Sequence, residues 1–309
     1  MKLTAACKGV FTIAPTPFLD DDSIDLASID KLADFYVQSG CTGITVLGVL
    51  GEAPKLDASE AREIVLRFIQ AAPSLPVVVG VSAPGFAAMR SLARTAMDAG
   101  AAGVMIAPPS TLRTDDQIVG YYAQAVEAIG GDVPFCVQDY PLNTSVVMAP
   151  SVIRRIVSDN SSCVMVKHED WPGLEKITTL RKWQADNEMR RISILCGNNG
   201  MFLDFETERG ADGAMTGYPF PDMLVEMLRL AEAGKRDEAH DLFDAHLPLL
   251  RYEQQPGIGL AVRKRVLQRR GLMSSAKLRA PASVLSAKAI EEVDFLLERI
   301  SRLDARARL

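Results

Sequence analysis

Eight short apolar runs, rich in Val, Ile and Met, recur along the chain at 9–15, 42–48, 77–82, 103–109, 135–138, 163–167, 192–197 and 213–217. Each is short enough for a strand and ends at turn-forming or polar residues. Most are continuously apolar rather than alternating, which is expected of strands buried on both faces of a parallel sheet covered by helices. The segments between them have helical spacing and helical punctuation: Ser59 with Arg62 and Glu63 opens the stretch to Ala72, and Gly40 and Gly100 close two others. Eight strand–helix units predict an α/β fold of the closed (β/α)8 TIM-barrel type. A doubly wound sheet would want a glycine fingerprint at a cofactor crevice, and no such motif occurs.

After Pro221 the alternation stops. The stretches 222–233, 236–250, 258–270 and 283–305 carry apolar residues three and four apart and read as helix after helix. The chain therefore divides into a barrel at 1–221, expected to carry the active site, and a C-terminal helical domain at 222–309. Those helices either cover the barrel base or form a subunit interface.

Composition narrows the function. With 309 residues, 48% of them hydrophobic and 24% charged, the chain should bury about three-quarters of its unfolded surface, which excludes disorder. Lys and Arg total 34 against 39 Asp and Glu, a net charge of -5 with no basic block, so no nucleic-acid partner is expected. The opening MKLTAACKGVFTIAP is too short and interrupted an apolar stretch for an export signal, and no run reaches the length of a membrane span. A soluble, cytoplasmic protein without a membrane partner is expected. Cys7, Cys41, Cys136, Cys163 and Cys196 are scattered singly and read as free thiols. His240 and His246 do not share a helical face, and no metal site is expected among the three histidines.

In such a barrel the active site lies at the C-terminal ends of the strands. The polar residues there are Thr16, Glu52, Ser82, Gln138, Asp139, Tyr140, Lys167, His168, Glu169, Asn198, Asn199 and Thr216. Lys167 directly follows Cys163-Val164-Met165-Val166. An amine that attacks a carbonyl near neutrality must be uncharged there, which implies about 4 kcal/mol of desolvation at an apolar strand end. The alternative is a lysine that snorkels outward or pairs with Glu169. Gly48-Val49-Leu50-Gly51-Glu52 leaves the second strand with two glycines, where backbone N–H groups can hold a carboxylate; a sharp turn alone would also want glycine. Gln138 and Tyr140 share one side of the fifth strand and Asp139 the other, and either set could face the site. Gln138 cannot move a proton, whereas Tyr140 could relay one if its phenol were tuned downward, or could simply pack at the rim. His168, next to Lys167, should point the opposite way, towards the helices.

Taken in order, Gly9 to Phe18 with its Pro-Thr-Pro-Phe, Gly48 to Glu52, Pro108-Pro109, Gln138 to Pro141, Lys167, Gly197-Asn198 and Gly210 to Gly217 resemble the dihydrodipicolinate synthase and N-acetylneuraminate lyase family over nearly the whole chain. The resemblance implies a Schiff-base lysine at Lys167, a catalytic neighbourhood including Gln138 and Tyr140, and a carboxylate cradle at Leu50, Gly51 and Glu52. It also implies substrate contacts from Asn198, Met215, Thr216 and Gly217, no cofactor, a small 2-oxo acid as substrate, and a homo-oligomer, dimer or tetramer. Departures are as informative. Val49 and Leu50 stand where that family usually has two threonines, Gln138 where it has a catalytic tyrosine, Asn143 where the synthase has an arginine, and Ser110 and Thr111 where a tyrosine pair is expected. Gln138-Asp139, Gly213 to Gly217 followed by Phe220-Pro221-Asp222, and Gln255 to Ile258 resemble the L-2-keto-3-deoxyarabonate dehydratase branch. The expected function is a Schiff-base lyase that dehydrates a 2-keto-3-deoxy sugar acid. The alternatives are a pyruvate-dependent aldolase or synthase and a barrel that binds a keto acid without turnover.

Overall fold

The computed structural model describes residues 1–171 and 173–309. Eight parallel strands close in chain order: β1 (Gly9–Ile13), β2 (Gly43–Val46), β3 (Val77–Gly80), β4 (Gly103–Ile106), β5 (Phe135–Asp139), β6 (Cys163–His168), β7 (Ser193–Cys196) and β8 (Gly213–Ala214), with Gly9 of β1 registered on Gly213 of β8. The (β/α)8 barrel read from the apolar runs is the fold observed. Several strands are shorter than their runs because the ladder stops before the prolines and tight exits that follow. β4 ends at Ile106, ahead of Pro108-Pro109. β5 and β6 each run one residue further than the pattern suggested, to Asp139 and His168.

Strand alternation sorts the apolar side chains into two layers. Phe11, Ile13, Val78, Met105, Cys136, Met165, Leu195 and Met215 fill the barrel interior together with Leu3. Val10, Ile44, Val79, Ile106, Val137, Val166 and Ile194 join the larger core between strands and helices. Each such side chain, fully buried, contributes about 1.5–3 kcal/mol. This alternation sets the site: with Met165 inside and Val166 outside, Lys167 falls inside and His168 outside.

The helix Ala58–Ala71 is opened by Asp57 as its cap rather than by Ser59. Asp57 accepts the Ser59 and Glu60 N–H groups, and Glu60 returns a bond to the Asp57 N–H, a complete capping box. Helices beyond Pro221 run Pro221–Glu232, Arg236–Glu253, Gly259–Arg269 and Ala287–Leu303. Pro221–Glu232 packs on β1 and occupies the eighth place in the ring of helices, so we draw the boundary of the barrel after this helix rather than at 221. His246, buried on Arg236–Glu253, bridges the Tyr218 hydroxyl at 2.8 Å and Asp304 at 3.0 Å, tying the C-terminal helices to the barrel. All five cysteines are free, four of them buried. Among the described residues no helix is long and apolar enough to cross a membrane.

Candidate active site at the mouth of the barrel

β5 and β6 lie in register, Gln138 beside Lys167 and Asp139 beside His168. Gln138 and Lys167 point inward; Asp139 and His168 point outward. Asp139 accepts a bond from Lys176 of the helix Leu174–Ala185 at 2.7 Å, so the choice between the two sides of β5 falls to Gln138. His168 is buried against Gly173, in the helical layer as alternation required.

Lys167 Nζ lies 2.9 Å from Glu169 Oε2, and Gln138 Nε2 donates to the same oxygen at 2.7 Å. All three residues are at most 5% exposed. Of the two alternatives for Lys167, the structure shows the pairing with Glu169. Residues 167 and 169 share the inward side, so a carboxylate arrives with the lysine. That ion pair is buried at the barrel mouth. Glu169 is itself held in place: Asn198 donates Nδ2 to its carbonyl at 2.7 Å and its N–H approaches Oε1 at 3.4 Å. A Cβ at Gly197 would fall 2.3 Å from Glu169 Cγ, so only glycine lets β7 pass this close.

The loop after β2 forms two tight turns. Gly51 N–H donates to Gly48 O at 3.0 Å and Glu52 N–H to Val49 O at 3.1 Å. Thr16 Oγ1 donates to Gly51 O at 2.6 Å and fixes the loop. Within Gly48–Glu52, no acceptor among the described residues takes the N–H groups of Gly48, Val49 and Leu50. This corrects the cradle assigned to Leu50, Gly51 and Glu52: Gly51 and Glu52 spend their N–H groups inside the turns. The Glu52 side chain also points elsewhere. It receives Lys264 Nζ at 2.6 Å, Lys55 Nζ at 2.8 Å and the Arg279 N–H at 3.1 Å, closing a buried cluster between the loop and the C-terminal segment.

Met215 lies in the interior layer beneath the mouth, and Thr216 is buried beside it, its carbonyl accepting the Ile13 N–H at 2.9 Å. Gly217 is another close approach: a Cβ there would lie 2.6 Å from Leu50 Cδ1. Tyr140 is half-buried at the rim. Burial, with the Glu169 charge adding, pushes its phenol above the ordinary value while Arg263 pulls the other way. A phenol tuned downward is thus corrected, because desolvation outweighs the nearby cation.

Two participants, Glu253 and Arg263, lie outside the strand-end residues that the sequence singles out, and Glu169 takes a different part from the one expected. The sequence offers Glu169 as a pairing partner of Lys167, and its spacing two residues on is the signal that it shares the inward side. Asn199, Glu253 and Arg263 meet at the mouth: Arg263 Nη2 donates to Asn199 Oδ1 and, at 3.0 Å, to Glu253 Oε1. Burial pushes the Glu253 carboxyl up to about 7, against the pull of Arg263. Arg263 and Glu253 sit on helices Gly259–Arg269 and Arg236–Glu253, where nothing local distinguishes them from a polar helix face.

Fold and site together define a barrel enzyme with a buried lysine–carboxylate pair at the strand ends and a backbone N–H loop opposite. The chain belongs to the dihydrodipicolinate synthetase family, whose family model matches residues 6–300. It is a lyase of that family. It is 29% identical over 313 residues to L-2-keto-3-deoxyarabonate dehydratase of Azospirillum brasilense, covering 96% of this chain and 95% of that protein. It is 26% identical over 248 residues to 4-hydroxy-tetrahydrodipicolinate synthase of Persephonella marina, covering 79% and 82%. The crystal structure of dihydrodipicolinate synthase from Rhodopseudomonas palustris superposes with a TM-score of 0.96 at 67% identity, covering 97% of this chain and 99% of that one.

Proposed function

We propose that the protein forms a Schiff base between Lys167 and a 2-oxo acid, and that it dehydrates a 2-keto-3-deoxy sugar acid. The observation that carries this reading is the chain from Gln138 through Glu169 to Lys167: a carboxylate within reach of the amine and bonded to a glutamine that cannot take a proton. The Val49 and Leu50 N–H groups are the donors for the substrate carboxylate, and Asn198 and Thr216 flank the hydroxyl-bearing carbons.

Glu169 removes a proton from Lys167 so that Nζ can attack C2; the carbonyl oxygen leaves as water and an iminium forms. The iminium acidifies C3, Glu169 takes the C3 proton, and an enamine results. The C4 hydroxyl then leaves with the proton returned by Glu169, giving an α,β-unsaturated imine and a second water. Hydrolysis consumes one water, releases the unsaturated 2-oxo acid and restores Lys167. The net change is loss of one water with the carbon skeleton intact. Glu169 here takes the proton-transfer role first considered for Tyr140.

The similarity to proteins named as synthases favours a second reading, carbon–carbon bond formation from pyruvate. Gln138 and the apolar Val49-Leu50 pair argue against it, because they leave no hydroxyl relay beside the amine. Borohydride reduction with pyruvate and with 2-keto-3-deoxy acids, followed by peptide mapping, tests the shared chemistry. An adduct on Lys167 is expected, and a product one water lighter than the substrate distinguishes dehydration from cleavage to pyruvate and an aldehyde. No adduct at saturating acid would leave a keto-acid-binding barrel without turnover. Assembly as a homo-oligomer in the cytoplasm completes the proposal, and sedimentation of the purified protein checks the assembly.

A further inference from the structure

Arg263 belongs to no barrel strand, yet its side chain ends at the mouth. A Cβ at Gly217 would lie 3.6 Å from Arg263 Cδ and 2.6 Å from Leu50 Cδ1, so both side chains converge on the exit of β8. The bond from Arg263 Nη2 to Asn199, at the exit of β7, sets the guanidinium beside the strand ends. Arg263 is only 2% exposed. Both of its side-chain hydrogen bonds leave from Nη2, to Asn199 and Glu253, while Nε is buried without a partner among the described residues. A guanidinium carries five N–H donors, and a buried donor without an acceptor is costly. Such a group at the mouth of a site is set up for an oxygen that arrives with the ligand.

We infer that Arg263 is a specificity-determining residue that donates to a hydroxyl oxygen on the substrate chain beyond C3. The inference rests on the Schiff-base reading, which assigns C2 to Lys167 and the C1 carboxylate to the Val49 and Leu50 N–H groups. Of the groups at the mouth not engaged by those steps, Arg263 is the strongest donor. A neutral hydroxyl suits it better than a second carboxylate. Arg263 already has Glu253 at 3.0 Å and Lys167 has Glu169 at 2.9 Å, so a dianionic substrate would bring another negative charge among two buried carboxylates.

The test compares imine formation at Lys167, trapped by borohydride, for three acids: pyruvate, a 2-keto-3-deoxypentonate and 2-oxoglutarate. In Arg263→Gln the half-saturating concentration of the deoxypentonate should rise about tenfold to hundredfold, as expected for losing a hydrogen bond to a charged donor, while that of pyruvate stays within about threefold. Arg263→Lys keeps a charge opposite Glu253 but lacks Nε; it should show the same selective loss, and it carries the comparison if the glutamine variant fails to fold. Equal losses for pyruvate and the deoxypentonate would assign Arg263 a structural role and overturn the inference. So would unchanged values for both, or a wild-type preference for 2-oxoglutarate that the variants abolish. A wild-type protein that traps none of the acids would overturn the Schiff-base reading and this inference with it, an outcome separate from trapping that ignores Arg263.

Discussion

Glu169 Oε2 stands 2.9 Å from Lys167 Nζ, two residues along on the same inward side of β6 and its exit. In the mechanism proposed above, the pair combines a nucleophile with a proton acceptor in a site that offers no tyrosine at the Gln138 position. Glu169→Gln preserves shape and removes the proton acceptor. Turnover should fall about 10²- to 10⁴-fold, the usual range for loss of a general acid–base, and the adduct that borohydride traps on Lys167 should still form but more slowly, because Glu169 no longer takes the amine's proton. Single-turnover kinetics beside the trapping assay check this, and unchanged turnover would remove Glu169 from the chemistry.

Gly197→Ala probes the same carboxylate without touching it. The new methyl would sit 2.3 Å from Glu169 Cγ and 2.4 Å from Oε1, so the side chain must swing away from Lys167. Overpacking of this kind costs about 1–3 kcal/mol. Thermal melting should show that loss, and turnover should drop further than the melting temperature explains. Retained activity would mean that Glu169 has a second productive position.

Much of this arrangement was legible before the fold was known, because alternation along a strand is a local property. Alternation grouped Gln138 with Tyr140 against Asp139, and Lys167 against His168, but which side of β5 faces the interior is decided only by Cys136 packing inside the barrel. His168 was assigned to the helical layer on the same ground. The loop Gly48 to Glu52 was recognisable as a donor loop, but which N–H groups remain free depends on turns that consume those of Gly51 and Glu52. Residues brought in from afar left no local mark. Arg263 sits in Val-Arg-Lys-Arg, which reads as an ordinary polar helix face, and Glu52 finds its partner Lys264 212 positions away.

Stability should fall as pH rises from about 5 to 8, and Glu206 is one cause. Burial pushes this carboxyl up from 4.5 to about 7, with Asp204 and Glu169 adding and His168 and the Cys196 thiol opposing. A folded state that holds the proton more tightly than the unfolded chain gains stability below 4.5 and loses it as pH climbs through about 7. Glu253, also raised to about 7, acts in the same sense. Glu206→Gln cannot ionise and should show a shallower decline, its advantage over wild type growing between pH 5 and 8. Urea unfolding across that range is the measurement, and parallel curves would refute the assignment.

A paired substitution tells whether Glu52 is a clamp or a binding residue. Glu52 and Lys264 are 2.6 Å apart with side chains at most 1% exposed, and Lys264 also lies over the Phe18 ring. Burial pulls the Lys264 amine down to about 8 even with the carboxylate beside it. Removing Glu52 alone strands that amine, and breaking a buried pair from one side typically costs about 3–5 kcal/mol. Replacing both partners by apolar residues removes the stranded charge along with the pair. Glu52→Leu with Lys264→Met should therefore recover most of the stability lost in Glu52→Leu, provided that Lys55 turns outward to solvent. A residue that contacted substrate directly would behave differently: the double variant would melt like the single one and lose keto-acid affinity in proportion to the missing carboxylate. Denaturation midpoints together with pyruvate trapping distinguish the two, and the clamp requires that stability recover in the double variant while trapping at Lys167 persists.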